Sequence, residues 1–296
     1  MLFMGMISLN REFRWMKRKG FRAFQGGIAR RDGNRRHLIF VPSMRKIIPN
    51  ALTMANLVCG CLAILFLLKW DNFFWPSVLI GLAAVLDLLD GWAARWLDGA
   101  SELGKQLDSL ADVVSFGVAP AFIAIWLPAT DMQLSESIPW IRFFGLFIAI
   151  AAAYRLARFN ITPGSSSDFS GLPVPANALF WCSLPLISIE FGFRMSGEFP
   201  RFVQLFSESG ILSLVAIFAL LMVSRIRLFS LKFKGASWGA NREKWIFVLS
   251  VPLVVLVIYF ASGMLSISIP VLILLYVFVS MLNNFFNKNH EIQSGN

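Results

Sequence analysis

The sequence predicts an all-α integral membrane protein of about eight transmembrane helices, and three observations predict it. Of the 296 residues, 57% are hydrophobic and only 15% are charged. The apolar residues come in long blocks rather than thin amphipathic stripes, and a block such as Phe247–Ala261 carries no charge at all. The cations gather beside the blocks: twelve of the 27 Lys and Arg fall in residues 1–46, ahead of the first. A bilayer-spanning helix needs about 20 mostly apolar residues, and this chain supplies that length repeatedly. An ordinary soluble domain has neither this composition nor this blockwise pattern.

The basic arm comes first. No uncharged segment with a cleavage site follows it closely, so it does not read as a secretory signal peptide. It reads as a cytoplasmic anchor held near anionic headgroups. The net charge of +10 thus points to membrane lipids rather than nucleic acid. His37–Asn50 mixes apolar residues with Arg45 and Lys46, as either a short interfacial helix or a solvated linker.

The predicted spans are Leu52–Leu68, Phe74–Trp92, Ser109–Leu127, Ile141–Arg158, Ala176–Phe193, Ile211–Ser224, Trp245–Ala261 and Ile267–Phe285. Arg95, Lys105, Arg155, Arg158, Arg225, Arg227, Lys232, Lys234, Arg242 and Lys244 fall in connections on the side of the basic arm. The opposite connections hold Asp71, Asp131, Glu136, Glu198 and Glu208, with few cations. Positive charge marks the cytoplasmic side, so both termini are expected there, in the inner (cytoplasmic) membrane. Trp70, Trp75, Trp140 and Trp245 sit near span ends, where indole rings favour the headgroup zone. Cys59, Cys61 and Cys182 lie inside apolar runs with no paired C-x-C and no nearby histidine, so they read as packing residues.

The chemistry is concentrated in Asp87–Asp112, which reads DLLDGWAARWLDGASELGKQLDSLAD. Asp87 and Asp90 are i, i+3 at the end of the second span; Asp108 and Asp112 are i, i+4 at the start of the third. Each pair shares a helix face, and an antiparallel return brings the faces together. A single Asp at the centre of a span costs roughly 2.5–3.5 kcal/mol on insertion scales. Four carboxylates so placed call for hard divalent cations bound through oxygen. Gly91, Ala94 and Gly104 thin the two helices where a bulky ligand must approach. Arg95 stands just beyond, suited to phosphate oxygens. The bland alternative is a set of helix-end charges facing headgroups.

The order D-x2-D-G-x2-A-R-x8-G-x3-D-x3-D is met at Asp87, Asp90, Gly91, Ala94, Arg95, Gly104, Asp108 and Asp112. It resembles the motif of the CDP-alcohol phosphatidyltransferase family, with no departure at any fixed position. The resemblance implies a six-helix catalytic core, here residues 47–235, between the arm (1–46) and a C-terminal helix pair with its tail (236–296). It implies a homodimer and two ions, Mg²⁺ or Mn²⁺, held by Asp87, Asp90 and Asp108. Asp112 becomes the general base, close enough to touch one ion, while Gly91, Arg95 and Gly104 line the CDP site. The chemistry implied is transfer of a phosphatidyl group from CDP-diacylglycerol to an alcohol, which a base must activate.

Other segments bear on the acceptor. Asn50, Thr53 and Asn56 fall at helical spacing at the start of the first span, resembling many family members; they either cap the helix or reach the nucleotide. Tyr154–Asn160 (YRLARFN), Phe169–Asn177 (FSGLPVPAN) and Ser224–Lys232 (SRIRLFSLK) resemble elements of the phosphatidylserine synthase subgroup, although that subgroup more often has proline where Arg227 stands. L-serine is therefore the expected acceptor, with glycerol 3-phosphate or inositol phosphate as the alternative. Arg155 and Arg158 share a face. They serve either to hold a serine carboxylate and a lipid phosphate or simply to stop the helix at the interface. Pro173 and Pro175 stiffen the approach to the next helix. A transporter or a scaffold is the competing class, but the acids cluster in one helix pair rather than across an inverted repeat.

Overall fold

Helices account for nearly all of the described residues, as the uninterrupted apolar blocks require of a backbone that must satisfy itself in lipid. The computed structural model describes residues 44–70, 73–127, 140–161, 168–194, 207–229 and 242–294. Pro42–Asn296 form one compact unit; a second, Met1–Val41, lies outside the described residues, and with it most of the basic arm.

Helix α1 is Met44–Trp70 and α2 is Phe74–Trp96. Helix α3, Glu102–Asp112, passes through a π-helical turn, Val113–Val118, into α4, Ala119–Trp126. A 3₁₀ segment, Trp140–Gly145, leads into α5, Leu146–Ile161. Helices α6 (Val174–Arg194), α7 (Glu208–Val223), α8 (Arg242–Ser262) and α9 (Ser268–Ser294) complete the set. All eight predicted apolar stretches are helical. Arg45–Trp70, Phe74–Trp96, Glu102–Trp126 and Trp140–Ile161 are long and apolar enough to cross a membrane. The remaining apolar stretches, Val174–Glu190, Ser209–Val223, Val248–Ser262 and Ser268–Leu282, are shorter. Large apolar side chains stand exposed along α1, α2, α5 and α8, among them Leu65, Leu88, Ile150 and Phe260. Such continuous apolar surface belongs against lipid rather than water, and the chain is a multi-pass membrane protein.

The helix starts depart from the sequence expectation. Helix α1 begins at Met44, with Pro49 inside it. The last part of His37–Asn50, from Met44 on, forms the first two turns of α1 rather than a linker, and His37–Ser43 lie outside the described residues. Asn50, Thr53 and Asn56 are interior to that helix and do not cap it. Helix α3 begins at Glu102 rather than near Ser109, because Ser101 caps it: the Ser101 hydroxyl accepts from the Gly104 amide at 3.0 Å, and Glu102 favours the positive end of the dipole. Helix α9 runs to Ser294, past the expected end at Phe285.

One feature lies outside the all-helical expectation. Strands β1 (Asp168–Ser170) and β2 (Arg227–Phe229) pair antiparallel, with Phe169 opposite Leu228. The ladder is continued by Gly171 N–H donating to the Ile226 carbonyl (2.9 Å) and Leu172 N–H to the Leu221 carbonyl (3.0 Å). Gly171 has φ +76°, and a Cβ there would run into the Met222 carbonyl, so the position demands glycine.

The core is apolar and centred on Phe180, Trp181 and Phe218, with the Phe180 and Phe218 rings stacked at 4.0 Å. The Trp181 indole donates to Asn177 Oδ1 at 3.2 Å, which gives the buried ring N–H its partner. Cys59 and Cys182 are buried packing residues; Cys61 is exposed. Between α1 and the π-turn the approach is closest at Gly60: a Cβ there would stand 2.5 Å from Ser115 Oγ and 2.7 Å from Ser115 Cα. Such small-residue crossings are how helices associate in lipid. Gly60→Ala is expected to lower stability by about 1–3 kcal/mol through overpacking. Gly81→Ala, where a Cβ meets nothing within 4 Å, should be neutral or better. Thermal unfolding of the two variants in detergent checks both.

Candidate active site

Three helices assemble the acidic site. Helix α2 runs unbroken to Trp96, so Asp87, Asp90, Gly91, Ala94 and Arg95 all ride on it. Helix α3 returns after a tight connection in which Asp98 adopts φ +50°, and it carries Gly104, Asp108 and Asp112. Ligand oxygens of Asp87, Asp90 and Asp108 all lie within 4.8 Å of one another. This is the face-to-face meeting that the spacing predicts.

The third helix, α1, packs closely along α2 and supplies donors. Thr53 is buried; its hydroxyl lies 2.6 Å from Asp90 Oδ2 and 3.1 Å from the Pro49 carbonyl. Asn56, fully buried, donates Nδ2 to Asp112 Oδ1 at 3.2 Å. The Ser115 hydroxyl in the π-turn donates to the Asn56 carbonyl at 2.9 Å and so fixes Asn56 in turn. A π-turn directly after Asp112 is a common device at functional sites, since it re-aims the residues around it. Asp112 stands apart from the group of three, within electrostatic range of Asp87 and Asp108.

Asp90 and Asp112 are buried. Asp108 Oδ1 is also buried and has no hydrogen-bond partner among the described residues. Three carboxylates crowded together, one with an orphaned oxygen, form an all-oxygen donor set suited to a hard divalent cation.

Beside the acids opens a cleft of about 190 Å³. Asn50, Thr53, Gly91, Ala94 and Gly104 line it, together with Asp90 and Asp108. A Cβ on Gly104 would stand 3.0 Å from Asn50 Oδ1, so glycine here keeps α3 close to α1. Arg95 is exposed and not on the cleft wall; its Nη1 reaches back over Gly91. Sequence reasoning missed Lys105, which brings a cation to the wall; its place one residue after the motif glycine was the available signal. It also gave Asn56 no link to Asp112, because residues 56 apart show no local periodicity.

Arg155 and Arg158 lie inside α5, which continues to Ile161, and so do not stop the helix. Arg155 donates Nη2 to the Gly171 carbonyl at 3.5 Å, and Arg158 donates Nη1 to the Val223 carbonyl at 3.4 Å. The three segments that point to the acceptor thus meet: YRLARFN reaches the turn of FSGLPVPAN, which pairs with SRIRLFSLK. Asn160 adds a link to the acidic helix, donating Nδ2 to Ser109 Oγ at 2.8 Å.

A multi-pass helical fold with a carboxylate cluster beside a cleft lined by small residues is the setting of a membrane-embedded phosphotransfer class. The chain belongs to the CDP-alcohol phosphatidyltransferase family, whose model matches residues 46–196. A Helicobacter pylori protein named CDP-diacylglycerol–serine O-phosphatidyltransferase is 31% identical over 251 residues, spanning 82% of this chain and 96% of that protein. A protein of the same name from Methanocaldococcus jannaschii is 35% identical over 201 residues, spanning 61% of this chain and 91% of its own. An archaetidylserine synthase from Methanothermobacter thermautotrophicus is 40% identical over 136 residues, covering 45% and 54% respectively.

Thr53→Val removes the hydroxyl donor from Asp90 and is expected to weaken Mn²⁺ binding about 10–100-fold, as loss of a ligand's supporting hydrogen bond does. Asp98→Asn, outside the cluster, should leave it unchanged. Mn²⁺ titration of the detergent-purified protein followed by electron paramagnetic resonance reads both.

Proposed function

We propose that this chain transfers the phosphatidyl group of CDP-diacylglycerol to the hydroxyl of L-serine, giving phosphatidylserine and CMP. The observation that carries the proposal is the meeting of Asp87, Asp90 and Asp108 beside a cleft that also takes Asn50, Thr53, Gly91, Ala94 and Gly104. The names of the relatives support serine as the acceptor.

In this proposal Asp87, Asp90 and Asp108 hold two divalent ions, Mg²⁺ or Mn²⁺. Ions bound there would supply charge neutralisation for the pyrophosphate and the CMP leaving group. The cleft takes the cytidine nucleotide between the thinned faces of α2 and α3. Lys105 at its wall meets phosphate oxygens, and so does Arg95, whose Nη1 lies over Gly91. Asn56 engages Asp112 through Oδ1, which leaves Oδ2 to accept the proton of the serine hydroxyl. The serine oxygen attacks the phosphorus next to diacylglycerol. The P–O bond to CMP breaks, and CMP leaves with the electron pair. Positioning and charge stabilisation are most of what such a transfer asks of a protein. Arg155 pairs with the serine carboxylate, and Arg158 with a lipid phosphate.

We place the catalytic core at residues 47–235, flanked by the basic arm and the C-terminal helix pair (236–296). The excess of cations in connections on the arm's side supports an inner-membrane location with the site and both termini cytoplasmic. The assembly proposed is the homodimer that the family implies.

Incubated with CDP-diacylglycerol and a divalent cation, the purified protein is expected to release CMP with serine, and not with glycerol 3-phosphate or inositol phosphate. Product from one of those two and none from serine would overturn the acceptor. Asp112→Asn is expected to lower turnover by at least about 10³-fold, on the scale of losing a positioned base, while CDP binding stays within a few-fold. Full activity in that variant would remove Asp112 from the base role.

A further inference from the structure

Lys105 brings its cation to the cleft wall on a long stem, from an exposed position. A lysine so placed samples many rotamers, and its ammonium meets a phosphate reproducibly only if something confines it. The last turn of α5 supplies the confinement. Asn160 Nδ2 donates to Ser109 Oγ at 2.8 Å, and Ser109 Oγ donates to the Lys105 carbonyl, one turn back, at 3.2 Å. Lys105 Nζ in turn reaches the Asn160 carbonyl at 3.5 Å. These three contacts close a ring. One residue of α5 thereby grips a full turn of α3, through its side chain at Ser109 and through its backbone at Lys105.

This link is not a by-product of helix packing. Helix α3 lies mainly against α1 and the π-turn, and α5 against α7, α4 and the π-turn; the two share no extensive backbone contact. The contact to the ammonium is also long, at the outer limit of a hydrogen bond. An ammonium has three donors, so Lys105 is held at Asn160 with donors left for an anion. On the opposite flank Gly104 sits close against Asn50 of α1. The Gly104–Lys105 step is thus fixed from two sides at the level where the cleft opens.

We infer that Asn160 is a positioning residue for the nucleotide: by tying Ser109 to the end of α5, it holds the Lys105 ammonium at the cleft wall, where a phosphate oxygen of the CDP group arrives. The inference rests on the proposed role of Lys105 toward phosphate. It gives YRLARFN, the segment that points to the acceptor, a part in holding the other substrate.

The test measures CDP binding by calorimetry in the presence of Mg²⁺, and Mn²⁺ binding by electron paramagnetic resonance, on the full-length protein in detergent. Neither readout needs turnover, so failure of the proposed acceptor leaves the test intact. The variants are Lys105→Met, Asn160→Leu, Ser109→Ala and the pair Lys105→Met with Asn160→Leu. Asn160→Leu keeps the volume and removes the donor; Ser109→Ala breaks the same bond from its other end, so the answer does not hang on one variant folding. Lys105→Met is expected to weaken CDP binding about 10–100-fold, the scale of a hydrogen bond to a charged group. Asn160→Leu and Ser109→Ala should each weaken it about 3–10-fold and leave Mn²⁺ binding unchanged. In the Lys105→Met background, Asn160→Leu should cost nothing further, because effects that run through one contact do not add. An Asn160→Leu loss of equal size with and without Lys105 would show general packing and overturn the inference. So would a Lys105→Met effect that neither Asn160→Leu nor Ser109→Ala reproduces, with the role of Lys105 left standing. If Lys105→Met leaves CDP binding unchanged, the role of Lys105 falls and takes the inference with it.

Discussion

Everything at this site depends on holding mutually repelling carboxylates together at one end of a helix pair inside a membrane. Asp90 and Asp112 are buried, where water screens charge poorly, so the surrounding helices supply donors at fixed positions. Helix α1 does this. Thr53 and Asn56, one turn apart, address Asp90 on α2 and Asp112 on α3 respectively. Ser115, behind Asn56, donates to its backbone carbonyl and ties the π-turn to α1 at that level. The small residues have a matching purpose. Gly60 lets the π-turn approach α1, and Gly99 lets the loop between α2 and α3 lie against the Arg45 backbone. Close packing here is what keeps a donor within hydrogen-bonding reach of Asp90 and of Asp112.

The acceptor end is built differently. Three segments far apart in sequence converge through short backbone contacts: the Arg155 and Arg158 side chains on carbonyls, and a ladder of three residue pairs. Gly171 sits at the centre, because only a residue without Cβ can pass so near the Met222 carbonyl with positive φ. The side chain of Asn160 then links this junction back to α3 at Ser109. The proposed base and the proposed carboxylate clamp are therefore parts of one hydrogen-bonded framework.

Much of this was legible in the sequence, for identifiable reasons. The apolar blocks announced the helices because lipid leaves the backbone few alternatives. The acid cluster was legible because its members lie on two consecutive helices, where i, i+3 and i, i+4 spacing fixes the shared face. Boundaries were less so. Helix α1 starts before Pro49, as helices in lipid tolerate internal proline, and α3 starts early because Ser101 is a better cap than the hydropathy profile could reveal. What stayed hidden was contact between distant segments. The pairing of Asn56 with Asp112, the β1–β2 ladder and Lys105 on the cleft wall obey no local period. Arg155 and Arg158 were visible as a pair, but their partners at Gly171 and Val223 were not.

The reactive acids occupy one continuous stretch of chain, Asp87–Asp112, whereas the segments proposed to choose the alcohol are drawn from three separate places: the end of α5, the turn at Gly171 and the chain around β2. Substitutions around β1 or β2 can thus reshape the acceptor end while the acids on α2 and α3 keep their places. An architecture divided in this way is open to retargeting. A new headgroup asks for a reshaped clamp at the periphery, while the machinery that severs the pyrophosphate is inherited intact.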